Sequence, residues 1–171
     1  MSEKKSFAPN AVQMLRTVQA NTMALSQMAD QKASILMGAT FVVFSISVSR
    51  ALTEDLPWSL TVLAFFSFLS SMCAVIAILP STKKPKNAAS IPANRLFFGH
   101  YTGRDEDDWS DDVLARMQDE ESMYRMMLRD IYQNGQVLQR KKYRFLGLAY
   151  RTFVFGLMTT IVIFIAERFV L

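Results

Sequence analysis

Charge of either sign is missing from two long stretches of this 171-residue chain: none lies between Lys32 and Arg50, and none between Pro57 and Pro80. Cysteine is nearly absent too. The lone Cys73 falls inside the second apolar run, which excludes a disulfide framework and a Cys/His zinc pattern. The single histidine, His100, has no H-x-x-x-H or H-E-x-x-H context, and neither G-x-x-x-x-G-K nor G-x-S-x-G occurs. An enzyme therefore has little support, and no cofactor or metal is expected. The acidic run Asp105, Glu106, Asp107 and Asp108 lacks the spaced ligands of a calcium loop. A net charge of +4 is too modest for a dedicated nucleic-acid binder. No short apolar segment with a small-residue cleavage site follows the polar start, which argues against a cleaved secretory signal.

What remains is a membrane protein. A bilayer core of about 30 Å needs roughly 20 helical residues, because a helix satisfies its own backbone groups where water is absent. The first span is placed at residues 34–52, where the hydroxyls of Ser34, Thr40, Ser45, Ser47 and Ser49 can return to carbonyls of the preceding turn. Residues 57–80 supply the second, with Trp58 at the headgroup level. The short connection carrying Glu54 and Asp55 makes the pair an antiparallel hairpin. The third span, residues 146–168, follows the basic segment Arg140 to Arg144. Arg151 within it would cost roughly 2.5 to 3.5 kcal/mol at the bilayer centre, so it is expected to snorkel toward the headgroups beside Arg144. Glu167 and Arg168 then mark the outer boundary. Lys4, Lys5, Lys32, Lys83, Lys84 and Lys86 favour a cytoplasmic N-terminus, and three spans then put the C-terminus outside.

Outside the spans, residues 1–33 read as a cytoplasmic amphipathic helix with a stripe of Leu15, Val18, Leu25 and Ala29, Thr22 lying in its seam. It is expected to continue unbroken into the first span. Residues 81–145 read as a cytoplasmic loop, with Pro92, Gly99 and Gly103 as breakers and the acidic run as a solvated turn, followed by a long helix. Ser110 is the expected N-cap, with Asp111 and Asp112 in the first turn. A heptad-like seam of Met117, Tyr124, Leu128, Ile131 and Leu138 is the natural partner of the N-terminal stripe. The fold class is thus an all-α integral membrane protein, with three transmembrane helices and two long helices extending into a cytoplasmic helical bundle. Three spans per protomer are too few to enclose a wide path, which predicts a homo-oligomer. Gly38, Ala39, Ser45 and Ser49 on the first span, and Gly147 and Gly156 on the third, permit close helix contact, and the first span is the favoured surface.

The segment D-Q-K-A-S before the first span, the paired spans, N-R-L-F-F-G-H-Y at Asn94 to Tyr101, and K-K-Y-R before the last span together resemble the bacterial Pycsar transmembrane effectors. The likeness covers the chain from about Ala29 to Ala166. It implies an antiphage effector of the bacterial inner membrane. In that family a separate pyrimidine cyclase, activated by phage infection, makes cyclic CMP or cyclic UMP, and the effector responds by disrupting the membrane and halting growth.

A cyclic nucleotide offers one phosphate charge, a base face and a base edge, so its site needs a cation, an aromatic or guanidinium plane, and an amide. Asn94, Arg95, Phe97, Phe98, His100 and Tyr101 are the local cluster with that chemistry. The bland alternative has Phe97 and Phe98 plugging the helical bundle while Arg95 meets lipid phosphate. Asp30 and Lys32 are candidates for a switch at the membrane boundary, or else anchor the helix end by interfacial charge. Two other function classes stay open: a non-enzymatic docking subunit of a membrane complex, and a constitutive small channel.

Overall fold

A computed structural model of the chain describes residues 7–51, 57–80 and 94–169. Helix is the regular structure among the described residues: α1 (Ala11–Ala51), α2 (Trp58–Ile78), α3 (Phe98–Tyr101), α4 (Glu106–Met117), α5 (Glu120–Val137), a π-helical segment (Leu138–Tyr143) and α6 (Arg144–Phe169). Three helices are long and apolar enough to cross a membrane: α1, α2, and the continuous run from α5 through α6. Lys4, Lys5, Glu54, Asp55, Lys83, Lys84, Lys86 and Pro92 lie outside the described residues. The chain divides into two compact units, residues 1–25 with 80–137 and residues 26–79 with 138–171. The first is called the head unit below and the second the span unit.

Between Pro9 and Pro57 there is no proline and one glycine, so nothing interrupts α1 over its 41 residues. The hydroxyls of Ser34, Thr40 and Ser47 donate to the carbonyls of Asp30, Leu36 and Val43 at 2.9–3.0 Å, the expected return to the preceding turn. Its buried face is not the expected stripe. Leu15 and Ala29 are buried and Thr22 is half-buried, but Val18 and Leu25 are exposed, and Gln19 and Ser26 turn inward instead. Partners for those polar groups decide the phase: Gln19 bonds the buried Asp130, and Ser26 accepts from the half-buried Lys142.

On α2 of the span unit, large side chains point out and small ones in. The buried positions of α2 are Ser59, Ser67, Ser70, Ala74 and Ala77, and they admit close approach of neighbouring helices. Ser70 Oγ donates to the Ala149 carbonyl at 2.8 Å. At Gly156 an added Cβ would stand 2.3 Å from Phe66 Cβ, so this glycine sets the α2–α6 distance. Gly156 is thereby used within the protomer, whereas a Cβ at Gly38 would meet nothing. Ala29, Ala33 and Leu36 of α1 complete the core with Ala74, Ala77, Leu138, Leu146 and Ala149. Arg151 is exposed on α6.

Two sequence expectations about the second long helix are corrected. It is not one helix from Ser110: α4 starts at Glu106, and Asp105 is its N-cap, its carboxylate accepting the backbone N–H groups of Asp107 and Asp108 at 3.0 and 3.2 Å. The acidic run is therefore a cap and first turn, where negative charge favours the helix dipole. Asp119 then accepts the Ser122 N–H at 2.9 Å and starts α5 afresh. This break rephases the seam: Tyr124 and Leu138 are buried as expected, but Met117 and Leu128 are exposed, while Met126 and Asp130 are buried.

Candidate functional site

The head unit is held together by a buried carboxylate. Asp130 of α5 accepts from Asn94 Nδ2 at 2.9 Å, Asn134 Nδ2 at 3.1 Å and Gln19 Nε2 at 3.2 Å. Asn94, only 1% exposed, also folds the segment that follows it: its Oδ1 accepts the Leu96 N–H at 3.0 Å, a side-chain turn of the kind Asn favours. Its own backbone N–H donates to His100 Nδ1 at 3.0 Å, which leaves the imidazole proton on Nε2. Asn94 and His100 thus position the chain around Arg95.

Arg95 Nε is paired with Asp112 Oδ2, and its carbonyl accepts Trp109 Nε1 at 2.9 Å. Asp112 is shared by two more guanidinium groups, Arg104 at 3.3 Å and Arg116 at 3.1 Å. The hydrogen bond from Arg95, aided by those from Arg116 and Arg104 and opposed by burial, holds the Asp112 carboxyl down at about 2. One α5 turn away, Arg125 pairs with Glu121 at 2.5 Å. Close by, the Glu120 carboxylate accepts the Tyr124 phenol at 2.8 Å and raises its pKa.

These arginines enclose a cavity of about 120 Å³, lined by Arg95, Arg116, Ser122, Arg125, Met126 and Arg129. Arg129 has no ion-pair partner among the described residues. Four guanidinium groups therefore converge on one space, and the two carboxylates that pair with this wall leave positive charge uncompensated. Guanidinium forks match the oxygen geometry of phosphate and carboxylate, so the chemistry of the cavity suits an anion.

Of the six residues expected from sequence to bind a ligand, Arg95 lines this cavity. Asn94 and His100 bond each other and shape the segment. Phe97 packs against Phe98 and His100, with ring centroids 4.8 and 5.3 Å apart, and Phe98 is 55% exposed. Tyr101 stacks on Trp109 at 4.9 Å. Arg116, Arg125 and Arg129 were not in the expected set. Their spacing at 116, 125 and 129 puts the last two on one helix face, but Arg116 joins them only through the break at Asp119.

The boundary residues Asp30 and Lys32 do not pair with each other. Asp30 accepts from Lys142 Nζ at 2.6 Å, which also donates to Ser26 Oγ at 2.7 Å, and the Lys32 carbonyl accepts the Tyr150 hydroxyl at 3.3 Å. Lys141, next in sequence, donates to the Leu79 carbonyl. The π-helical turn allows consecutive lysines to reach α1 and the end of α2; such turns often sit at functional positions.

Fold and site define a class: an all-α, three-span membrane protein whose head unit carries an arginine-walled cavity. The family model for the Pycsar effector protein domain, PycTM, matches residues 13–167, and the chain belongs to that family. It is therefore an antiphage Pycsar membrane effector, in a family of membrane effectors rather than enzymes, and its three apolar helices fit a multi-pass protein of the bacterial inner membrane. No curated protein and no solved structure matches it significantly.

Proposed function

We propose that a cyclic pyrimidine nucleotide, cyclic CMP or cyclic UMP made by a separate cyclase, activates this effector by placing its phosphodiester among Arg95, Arg116, Arg125 and Arg129. The observation that carries this reading is the convergence of four guanidinium groups on one cavity, one of them, Arg129, without an ion-pair partner among the described residues. The cavity is smaller than the roughly 300 Å³ at which ordinary small-molecule sites begin. It suits a singly charged phosphodiester, and the nucleoside then rests on the surface outside it. The cavity faces the cytoplasm if the N-terminus does, as the distribution of Lys and Arg favours, and the C-terminus then lies outside.

Activation proceeds through homo-oligomerisation and disruption of the inner membrane. Two observations support self-association: Met14, Val18 and Leu25 of α1 are exposed at heptad-related positions, and Gly38 and Ala39 present small residues on the outer face of the first span. Calorimetric titration of the detergent-solubilised chain with cyclic CMP and cyclic UMP, against cyclic AMP, tests the proposal. Because Arg129 makes no ion pair among the described residues, Arg129→Ala should leave the fold intact; losing a charge-assisted bond worth about 1.5–3 kcal/mol weakens binding roughly 10- to 150-fold. Binding of neither pyrimidine nucleotide, or equal binding by the variant, refutes the site. Particle mass and liposome dye release, measured with and without the bound nucleotide, test the later steps.

A further inference from the structure

The span unit holds a second cavity that the anion site does not use. A groove of about 560 Å³ opens where the end of α1, the start of α2 and the end of α6 lie together. Its walls combine two kinds of chemistry. Leu60, Ile161 and Phe164 provide an apolar floor, while Arg50 and Arg168 bring two guanidinium groups to the same rim. Several polar groups there are engaged: Arg50 has an interaction of its own, Glu167 Oε1 accepts the Ser59 backbone N–H at 3.2 Å, capping an α2 N-terminus whose Pro57 supplies no side-chain cap, and Thr160 Oγ1 donates to the Gly156 carbonyl at 2.8 Å. Arg168 has no ion-pair partner among the described residues.

We infer that this groove binds an anionic glycerophospholipid, with the headgroup phosphate on Arg168 and an acyl chain along Leu60, Ile161 and Phe164. Three observations favour a lipid. The groove lies at the end of apolar spans, where acyl chains are the surrounding medium. Its volume falls within the roughly 300–1,000 Å³ of small-molecule sites. A guanidinium at a membrane boundary is best satisfied by phosphate oxygens, which it holds as a planar fork. Glu167 is already committed to the α2 N-terminus. The inference rests on the spans alone and does not depend on the nucleotide reading.

The test is native mass spectrometry of the full chain in neutral detergent, titrated with phosphatidylglycerol and phosphatidylcholine of identical acyl chains. One arginine near an anionic surface is worth about fivefold in affinity. Phosphatidylglycerol should therefore be retained at least fivefold better than phosphatidylcholine, and Arg168→Gln, an exposed position, should erase that preference with helical circular dichroism unchanged. Ile161→Trp, which fills the floor but keeps both arginines, should reduce retention of both lipids. Equal retention of the two lipids by the native chain, an undiminished preference in Arg168→Gln, or displacement of the lipid by millimolar inorganic phosphate would each overturn the assignment, the last by making free phosphate the ligand.

Discussion

Replacing Asp130 should loosen the head unit by an amount that its geometry sets. The carboxylate is 5% exposed and its three donors among the described residues are all neutral amides, so hydrogen bonds and no described cation hold it. A hydrogen bond to a charged group contributes about 1.5–3 kcal/mol. In Asp130→Ala, Gln19 and Asn134 are half-buried and recover water, but Asn94 Nδ2 is enclosed and loses its acceptor outright. The expected loss is about 3 kcal/mol, dominated by Asn94. Asp130→Asn keeps one carbonyl acceptor and turns the other oxygen into a donor facing amide donors, so about 1–2 kcal/mol is lost, part of it offset by removing a buried charge. Trp109, stacked on Tyr101 and bonded to the Arg95 carbonyl, reports on this unit, whereas Trp58 belongs to the other. Urea unfolding followed by Trp109 fluorescence in a Trp58→Phe background therefore isolates the change. An alanine variant within about 0.5 kcal/mol of the parent, or an asparagine variant less stable than alanine, would refute the argument that Asn94 is the costly orphan.

The Asp112 carboxyl, held at about 2 against an ordinary 3.8, contributes stability that is fully present above pH 4 and fades as pH falls toward 2. The shift alone corresponds to about 2 kcal/mol, but Arg104 and Arg116 are 39% and 40% exposed and partly screened, so about 1 kcal/mol is expected, and acid titration of Asp112→Asn by Trp109 fluorescence should show a flatter slope than the parent. At Gly156, alanine should push α6 from Phe66 and cost about 1–3 kcal/mol, whereas Gly147→Ala, with nothing within 4 Å, should be nearly neutral; thermal melting in detergent compares them, and equal melting temperatures would contradict the close approach.

How much of this was legible in the sequence differs between the two units. Spans declare themselves because lipid imposes one requirement, an uncharged run of sufficient length, and residues 34–50 and 57–80 meet it without help from any partner. The head unit obeys a subtler rule. Hydrophobicity put Val18 and Leu25 on the inner face of α1, yet Gln19 and Ser26 are inside because Asp130 and Lys142 wait for them, and no periodicity of apolar residues reports a buried hydrogen bond. The same limit applies to the cavity. Arg95 was found by its aromatic and amide neighbours, most of which shape the backbone, while Arg116, Arg125 and Arg129 carry no motif and come together only because the break at Asp119 folds α4 against α5.

That substitution of polar for apolar residues on the inner face of α1 has a counterpart on its outer face. Met14, Val18 and Leu25 are 61%, 41% and 44% exposed within the head unit, and Ile35, Phe41 and Ile46 are likewise exposed within the span unit. For the latter three, acyl chains are an equivalent solvent, and exposure costs nothing. No such medium surrounds the former if the head unit stands in water, where each exposed apolar group favours burial against another protein surface. The N-terminal third of α1 is therefore where the proposed self-association would gain most. Its partner face need not be created by the ligand: Asp130 already fixes Gln19, hence the rotation of α1, relative to the segment that carries Arg95. The segment that carries Arg95 and the helix that presents Met14, Val18 and Leu25 thus share one carboxylate inside one unit.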